Sequence, residues 1–244
     1  MLSKAKIKFV KSLQIKKYRK QEQLFVVEGA KSVRELLNSA FETVTIVGVS
    51  AFLETIDISS NIEVFDVSES QLAQLGAFQS NDSVLAVAKM KPNHSIKVAQ
   101  DEFALVLDDI RDPGNLGTII RTADWFGIKK IIASEESADF YNSKVVTASM
   151  GSFTRVNLYY ASLPEFLHGS NVRVFGSYLD GKDVHKANFG DGGLILIGNE
   201  ARGISPSLEG YVTDRVTIPR IGGGESLNAA VATAIICDNL TRAS

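Results

Sequence analysis

The sequence predicts an α/β protein: a mostly parallel sheet covered on both faces by helices, preceded by a smaller α/β unit. Three observations lead there. From residue 103 onward, apolar strand-type runs alternate with helix-like segments, as in sheets buried on both sides. The first of these runs, FALVLDDI, is joined to KKIIAS through a loop and one helix-like stretch, the length of a βαβ unit. A segment of low apolar density containing Pro92, KMKPNHSIKVAQDE, separates the two regions.

At the N-terminus, the first twenty residues hold Lys4, Lys6, Lys8, Lys11, Lys16, Lys17, Arg19 and Lys20 and no acid, although the whole chain carries a net charge of −2. Such a cationic end is either a solvated helix face or an arm that approaches a polyanion. LFVVE, TVTIVGV, IEVFDV and SVLAVA then read as strands, with AKSVRELLNSA and SESQLAQLGA as helices between them. The expected boundaries are 1–90 for this unit, 91–102 for the linker and 103–244 for the larger domain. Beyond the first βαβ, strands are expected at TRVNLYY, VRVFGSY, GLILIG and RVTIP.

Composition excludes several classes. No run of about 18 apolar residues and no cationic-then-apolar leader occurs, so the expected location is cytoplasmic, with no membrane partner. Cys237, the single cysteine, lies in an apolar helix and reads as a core thiol. His94, His168 and His185 show no metal-ligand spacing. The Gly222–Gly224 triplet is followed by Glu-Ser-Leu-Asn, not by the Lys and Ser/Thr of a P-loop. No G-x-G-x-x-G follows FALVLDDI, which weakens a nucleotide-dependent oxidoreductase.

Ligands of parallel sheets collect beyond the carboxyl ends of the strands, and three loops there are unusual. RDPGNLGTIIR places Asn115 at a helix entrance, where it can act as N-cap, and Arg121 beside an apolar stripe, where it can clamp a phosphate. LILIGNEARGIS ends a strand in Gly198, Asn199 and Glu200; a buried Glu200 needs a donor or cation, for which Arg121 and Arg202 are candidates. RIGGGESLNAAVATAIICDNL opens on glycines, and Ser226 or Glu225 can cap a helix whose expected stripe is Leu227, Ala230, Val231 and Ala234.

DPGNLGTIIRTADWFG, LILIGNEARGIS and IPRIGGGESLNAAVA together resemble the three ordered motifs of the SpoU branch of the SPOUT RNA 2′-O-ribose methyltransferases. FVVEGAKSVRELL resembles the ribosomal-protein-like substrate-binding domain that often precedes that domain. The resemblance implies a C-terminal trefoil knot, which general topology rules would not suggest. It implies S-adenosyl-L-methionine held at Gly198, Ile218, Leu227 and, by a weaker correspondence, Ser177. It implies catalytic roles for Asn115, Arg121, Glu200, Ser226 and Asn228, a homodimer, and an RNA substrate, ribosomal RNA before transfer RNA. Ala201, the open Gly222–Gly224 triplet and Ala229 depart from the family pattern, touching loop shape and packing. A noncatalytic RNA-binding or ribosome-assembly factor is the alternative, which RNA binding without cofactor binding would distinguish.

Overall fold

The computed structural model describes residues 2–77, 81 and 83–242; the last two residues of the expected larger domain, and 78–80 and 82 of the smaller one, lie outside the described residues. Two compact units are present, Met1–Pro92 with Asp139–Thr154, and Asn93–Ala138 with Arg155–Ser244. The larger domain is not the unbroken 103–244 that the sequence suggests, because residues 139–154 pack with the first unit. The reason is aromatic: Tyr141 and Phe153 pack on Phe25, with ring centroids 4.7 and 6.0 Å away.

In the first unit, α1 (Lys4–Ser12) is capped by Ser3 and buries Val10, and α2 (Lys16–Glu22) follows. Then come β1 (Leu24–Glu28), α3 (Ala30–Leu37), β2 (Thr43–Gly48), α4 (Ser50–Leu53), β3 (Glu63–Asp66), α5 (Glu69–Ala73) and β4 (Val84–Lys89). The sheet order is β1-β4-β2-β3, with β4 antiparallel to both neighbours and β3 parallel to β2. Val10 and Leu13 close one face over Val26, Val47, Leu85 and Val87. Not every N-terminal cation faces solvent. Arg19 is buried, donating Nη1 to the carbonyls of Leu13 and Gln14 (both 2.8 Å) and Nη2 to Asp139 (2.6 Å), and Lys6 pairs with Glu63. Lys4, Lys8, Lys11, Lys16, Lys17 and Lys20 remain exposed.

The second unit runs β5 (Phe103–Leu107), α6 (Pro113–Trp125), β6 (Lys130–Ala133), β7 (Asn157–Tyr160), α8 (Leu163–His168), β8 (Val174–Asp183), β9 (Gly193–Ile197), α9 (Pro206–Glu209), β10 (Asp214–Thr217) and α10 (Ala229–Arg242); α7 (Ser143–Ala148) belongs to the first unit. Its six strands are all parallel, in the order β10-β8-β9-β5-β6-β7. Ala104–Leu107 and Gly193–Ile197 are wholly buried, which is why these strands read as unbroken apolar runs. β8 extends past the expected VRVFGSY because it pairs with β10 twice, on either side of a register shift.

Two helices of this unit, α6 and α10, pack against each other. Asp112 caps α6 and Pro113 takes its first turn, with Leu116, Ile119, Ile120 and Ala123 buried. The buried stripe of α10 is Ala229, Ala230, Thr233, Ile236, Cys237 and Leu240, while Val231 and Leu227 are each 48% exposed. The stripe is therefore rotated from the expected one: in a helix of small apolar residues, hydrophobicity alone does not mark the inward face. Burial pushes the Cys237 thiol up to about 12, consistent with a core role. No helix among the described residues is long and apolar enough to cross a membrane.

Candidate active site at the carboxyl edge of the parallel sheet

An open parallel sheet offers a crevice where neighbouring strands send their connections in opposite directions. Here that point lies between β5, which leads through α6 to β6 on one side, and β9, whose chain continues to β10 at the far edge of the other. Asn115 follows β5 and Glu200 follows β9.

Three of the expected catalytic residues meet there. Asn228 caps α10, its Oδ1 accepting from the N–H groups of Ala230 (2.9 Å) and Val231 (3.3 Å). That leaves its Nδ2 to donate, and it donates to Asn115 Oδ1 at 2.8 Å. Asn115 Nδ2 in turn donates to Glu200 Oε1 at 2.6 Å. The helix amides thus set the polarity of the whole relay, because each primary amide has one accepting and one donating end.

Two capping assignments change. Asp112, not Asn115, caps α6: its Oδ1 accepts from the Asn115 N–H at 2.8 Å. Asn228, not Ser226 or Glu225, caps α10. The cations considered for Glu200 also differ, since the Asn115 amide meets it and Arg202 pairs with Asp109. Arg121 and Ser226 are exposed, and neither side chain has a hydrogen-bonding partner among the described residues.

Asp109, Asn199 and Asp112 are the residues that sequence reasoning missed. Asp109 is buried with φ 58°, a left-handed conformation that Asp tolerates better than most residues. Its carbonyl accepts from Asn199 Nδ2 at 2.8 Å. Asn199 Oδ1 accepts from the N–H groups of Ala201 (3.0 Å) and Arg202 (3.3 Å), and Asn199 also exchanges main-chain bonds with Gly203. The turn carrying Glu200 is therefore fastened to the β5 edge. Gly198 closes it, since a Cβ there would stand 2.2 Å from the Gly203 carbonyl carbon. The Asp-Pro pair at 112–113 is a legible cap signal; nothing in the residue pattern marks Asp109.

Residues 102–238 match the family model described as SpoU rRNA Methylase family. The chain belongs to this family. Residues 4–86 match the MRM3-like substrate binding domain. A 23S rRNA (guanosine(2553)-2′-O)-methyltransferase of Bacillus subtilis is 29% identical over 239 residues, covering 96% of this chain and 95% of that one. Among solved structures, a TrmH-family protein from Porphyromonas gingivalis superposes over 100% of both chains with TM-score 0.90 and 37% identity. An AdoMet-bound rRNA methyltransferase from Sinorhizobium meliloti superposes over 99% of this chain and 96% of its own, with TM-score 0.89 and 28% identity.

The SpoU family uses S-adenosylmethionine, and the strand ends of this chain fit that ligand. Gly198 follows β9, Ile218 follows β10, and Ser177 follows the last β8 residue paired with β9; the three strands are neighbours. In the loop beyond Ile218, the main-chain N–H groups of residues 222–227 have no partner among the described residues. Ile221 is fully exposed, and a Cβ added at Gly222, Gly223 or Gly224 meets nothing within 4 Å. Free main-chain donors beside uncovered apolar side chains suit a ligand with a flat ring and a charged tail. Among the described residues no cluster of His, Cys, Asp or Glu could hold a metal ion.

Proposed function

We propose that ribosomal RNA is the substrate of this S-adenosylmethionine-dependent RNA ribose 2′-O-methyltransferase, and that the Asn228–Asn115–Glu200 relay is the core of its active site. The observation carrying this reading is the convergence of three separate strand-end loops on one hydrogen-bonded line at the switch point of the sheet. The printed names of the B. subtilis relative and of the family model support ribosomal over transfer RNA.

The reaction requires a ribose 2′-hydroxyl to be aligned and to lose its proton. When bound, S-adenosyl-L-methionine supplies a methyl group already activated on a sulfonium. Ser177, Gly198, Ile218 and Leu227 would hold it. Asn115 orients the nucleophilic oxygen, and Glu200 and Asn228 keep the Asn115 amide from rotating. Arg121, exposed and unpaired among the described residues, grips a phosphate and stabilises the developing 2′-alkoxide; a guanidinium stays protonated, so this role suits it better than that of a base. Ser226, exposed two residues before the Asn228 cap, takes the substrate side of the same loop in this reading.

The finer architecture belongs to the same proposal. The segment from β10 into α10 forms the trefoil knot, residues 1–90 bind substrate RNA, and the protein works as a cytoplasmic homodimer. Exposed Trp125 on α6 and Val231 on α10 support the homodimer, being apolar and uncovered on the helices that frame the site.

The test is methyl transfer from labelled S-adenosylmethionine to unmodified 23S rRNA, followed by alkaline hydrolysis. One linkage resistant to alkali is expected. Transfer only to tRNA would replace the substrate, and RNA binding with neither transfer nor cofactor binding would make the chain a noncatalytic RNA-binding factor.

A further inference from the structure

Beside the relay, one buried carboxylate holds two exposed arginines. Arg111 donates Nε to Asp109 Oδ1 at 2.6 Å, and Arg202 Nη2 pairs with Asp109 Oδ2. The Asp109 side chain is 8% exposed, whereas those of Arg111 and Arg202 are 64% and 66% exposed. We infer that Arg111 and Arg202, set side by side by Asp109, form a fork that binds an RNA phosphate next to the methylated ribose. The inference rests on the RNA methyltransferase reading and extends it to residues with no role in the relay.

Three features carry it. A buried carboxylate without compensation is costly, but one guanidinium together with the Asn199 amide, 3.4 Å from Oδ2, would already compensate Asp109. The second arginine is surplus to that need. Each guanidinium also has five N–H donors and spends one on Asp109; the others have no partner among the described residues. The planar fork of such donors matches a phosphate better than a lone ammonium does.

Placement is the third feature. Arg111 stands four residues before Asn115, and Arg202 two residues after Glu200, so the arms of the fork come from the same two loops as the partners of the Asn115–Glu200 bond, and these loops are the border it shares with the relay. A nucleotide presenting its 2′-hydroxyl at Asn115 brings its flanking phosphodiesters to that border. The surroundings are not uniformly basic: the Asp109 hydrogen bond and charge, with a smaller contribution from Glu136, hold the Arg111 guanidinium above its ordinary range. Attraction therefore depends on directed hydrogen bonds more than on bulk positive potential. Asp109 acts here as a positioning residue, its left-handed backbone aiming one carboxylate at two side chains from separate loops.

The experiment measures binding of unmodified, in vitro-transcribed 23S rRNA, and of an unmodified tRNA pool, across a salt series. It compares the full-length protein with Arg111→Ala, Arg202→Ala and the double variant, and methyl transfer is followed in parallel. For whichever RNA the wild type binds more tightly, the double variant is expected to bind about tenfold more weakly and to lose about one unit of salt slope. KM for RNA rises while kcat at saturating RNA stays within about threefold, and S-adenosylmethionine affinity is unchanged. Arg→Lys at both positions restores the salt slope but only part of the affinity. If the double variant is poorly folded, Arg111→Ala alone, which leaves Arg202 on Asp109, carries the test with a smaller effect. Wild-type affinity and salt slope in the folded variants overturn the fork. Absence of methyl transfer by the wild type would overturn the enzyme reading instead, and the binding arm still decides the fork.

Discussion

Two loops leave neighbouring parts of the same parallel sheet and could hardly be built more differently. The turn after β9, residues 198–204, is fastened by Asn199 to its own main chain and to Asp109, and Gly198 is packed so closely that no side chain fits. The loop after β10, residues 218–227, has free main-chain donors, a fully exposed Ile221 and glycines facing open space. The first fixes one residue, Glu200, to within a hydrogen bond; the second leaves its donors uncommitted among the described residues. Alignment for methyl transfer needs a rigid part, and enclosing a cofactor needs an adaptable one.

Four substitutions sharpen that contrast. Asn228→Ala, which removes both the α10 cap and the bond to Asn115, is expected to lower kcat about 30-fold and stability by about 1–2 kcal/mol, read by single-turnover kinetics and denaturant melts. Gly198→Ala drives a Cβ into the Gly203 main chain and should cost about 2 kcal/mol in a urea melt; a melt within experimental error of wild type would show that the turn yields. Because of this clash, a bulky residue at Gly198 perturbs the turn itself and is a poor probe of cofactor contact alone. Glu200→Gln keeps an acceptor for Asn115 but removes its charge, and about a fivefold loss of kcat with normal cofactor affinity is expected. Gly223→Ala, in the open loop, should leave stability within about 0.5 kcal/mol, measured by the same melts.

Much of this is legible in the residues. The strand-end loops are visible because FALVLDDI and GLILIG are buried on both faces, so the polar residues after them stand out. Asn115 and Glu200 can be picked from those loops, and Asn228 from the glycine-opened loop after β10. Their connections cannot, because a hydrogen bond across 85 or 113 positions leaves no local trace. The same limit hides Asp109, whose role depends on Asn199 and Arg202 from another strand end. Segment 139–154 reads as part of the wrong unit because its aromatic contacts to Phe25 are equally remote in sequence. Arg19 looks like one more surface cation, yet its guanidinium is spent inside the first unit on two carbonyls and Asp139.

The most direct measurement is the single-turnover rate of methyl transfer to unmodified 23S rRNA by Asn115→Ala, at saturating RNA and cofactor, beside the wild type. The relay account predicts a fall of about 100-fold with the melting temperature nearly unchanged, because Asp112, not Asn115, caps the helix. A wild-type rate from the folded variant would contradict it and remove Asn115 from the chemistry.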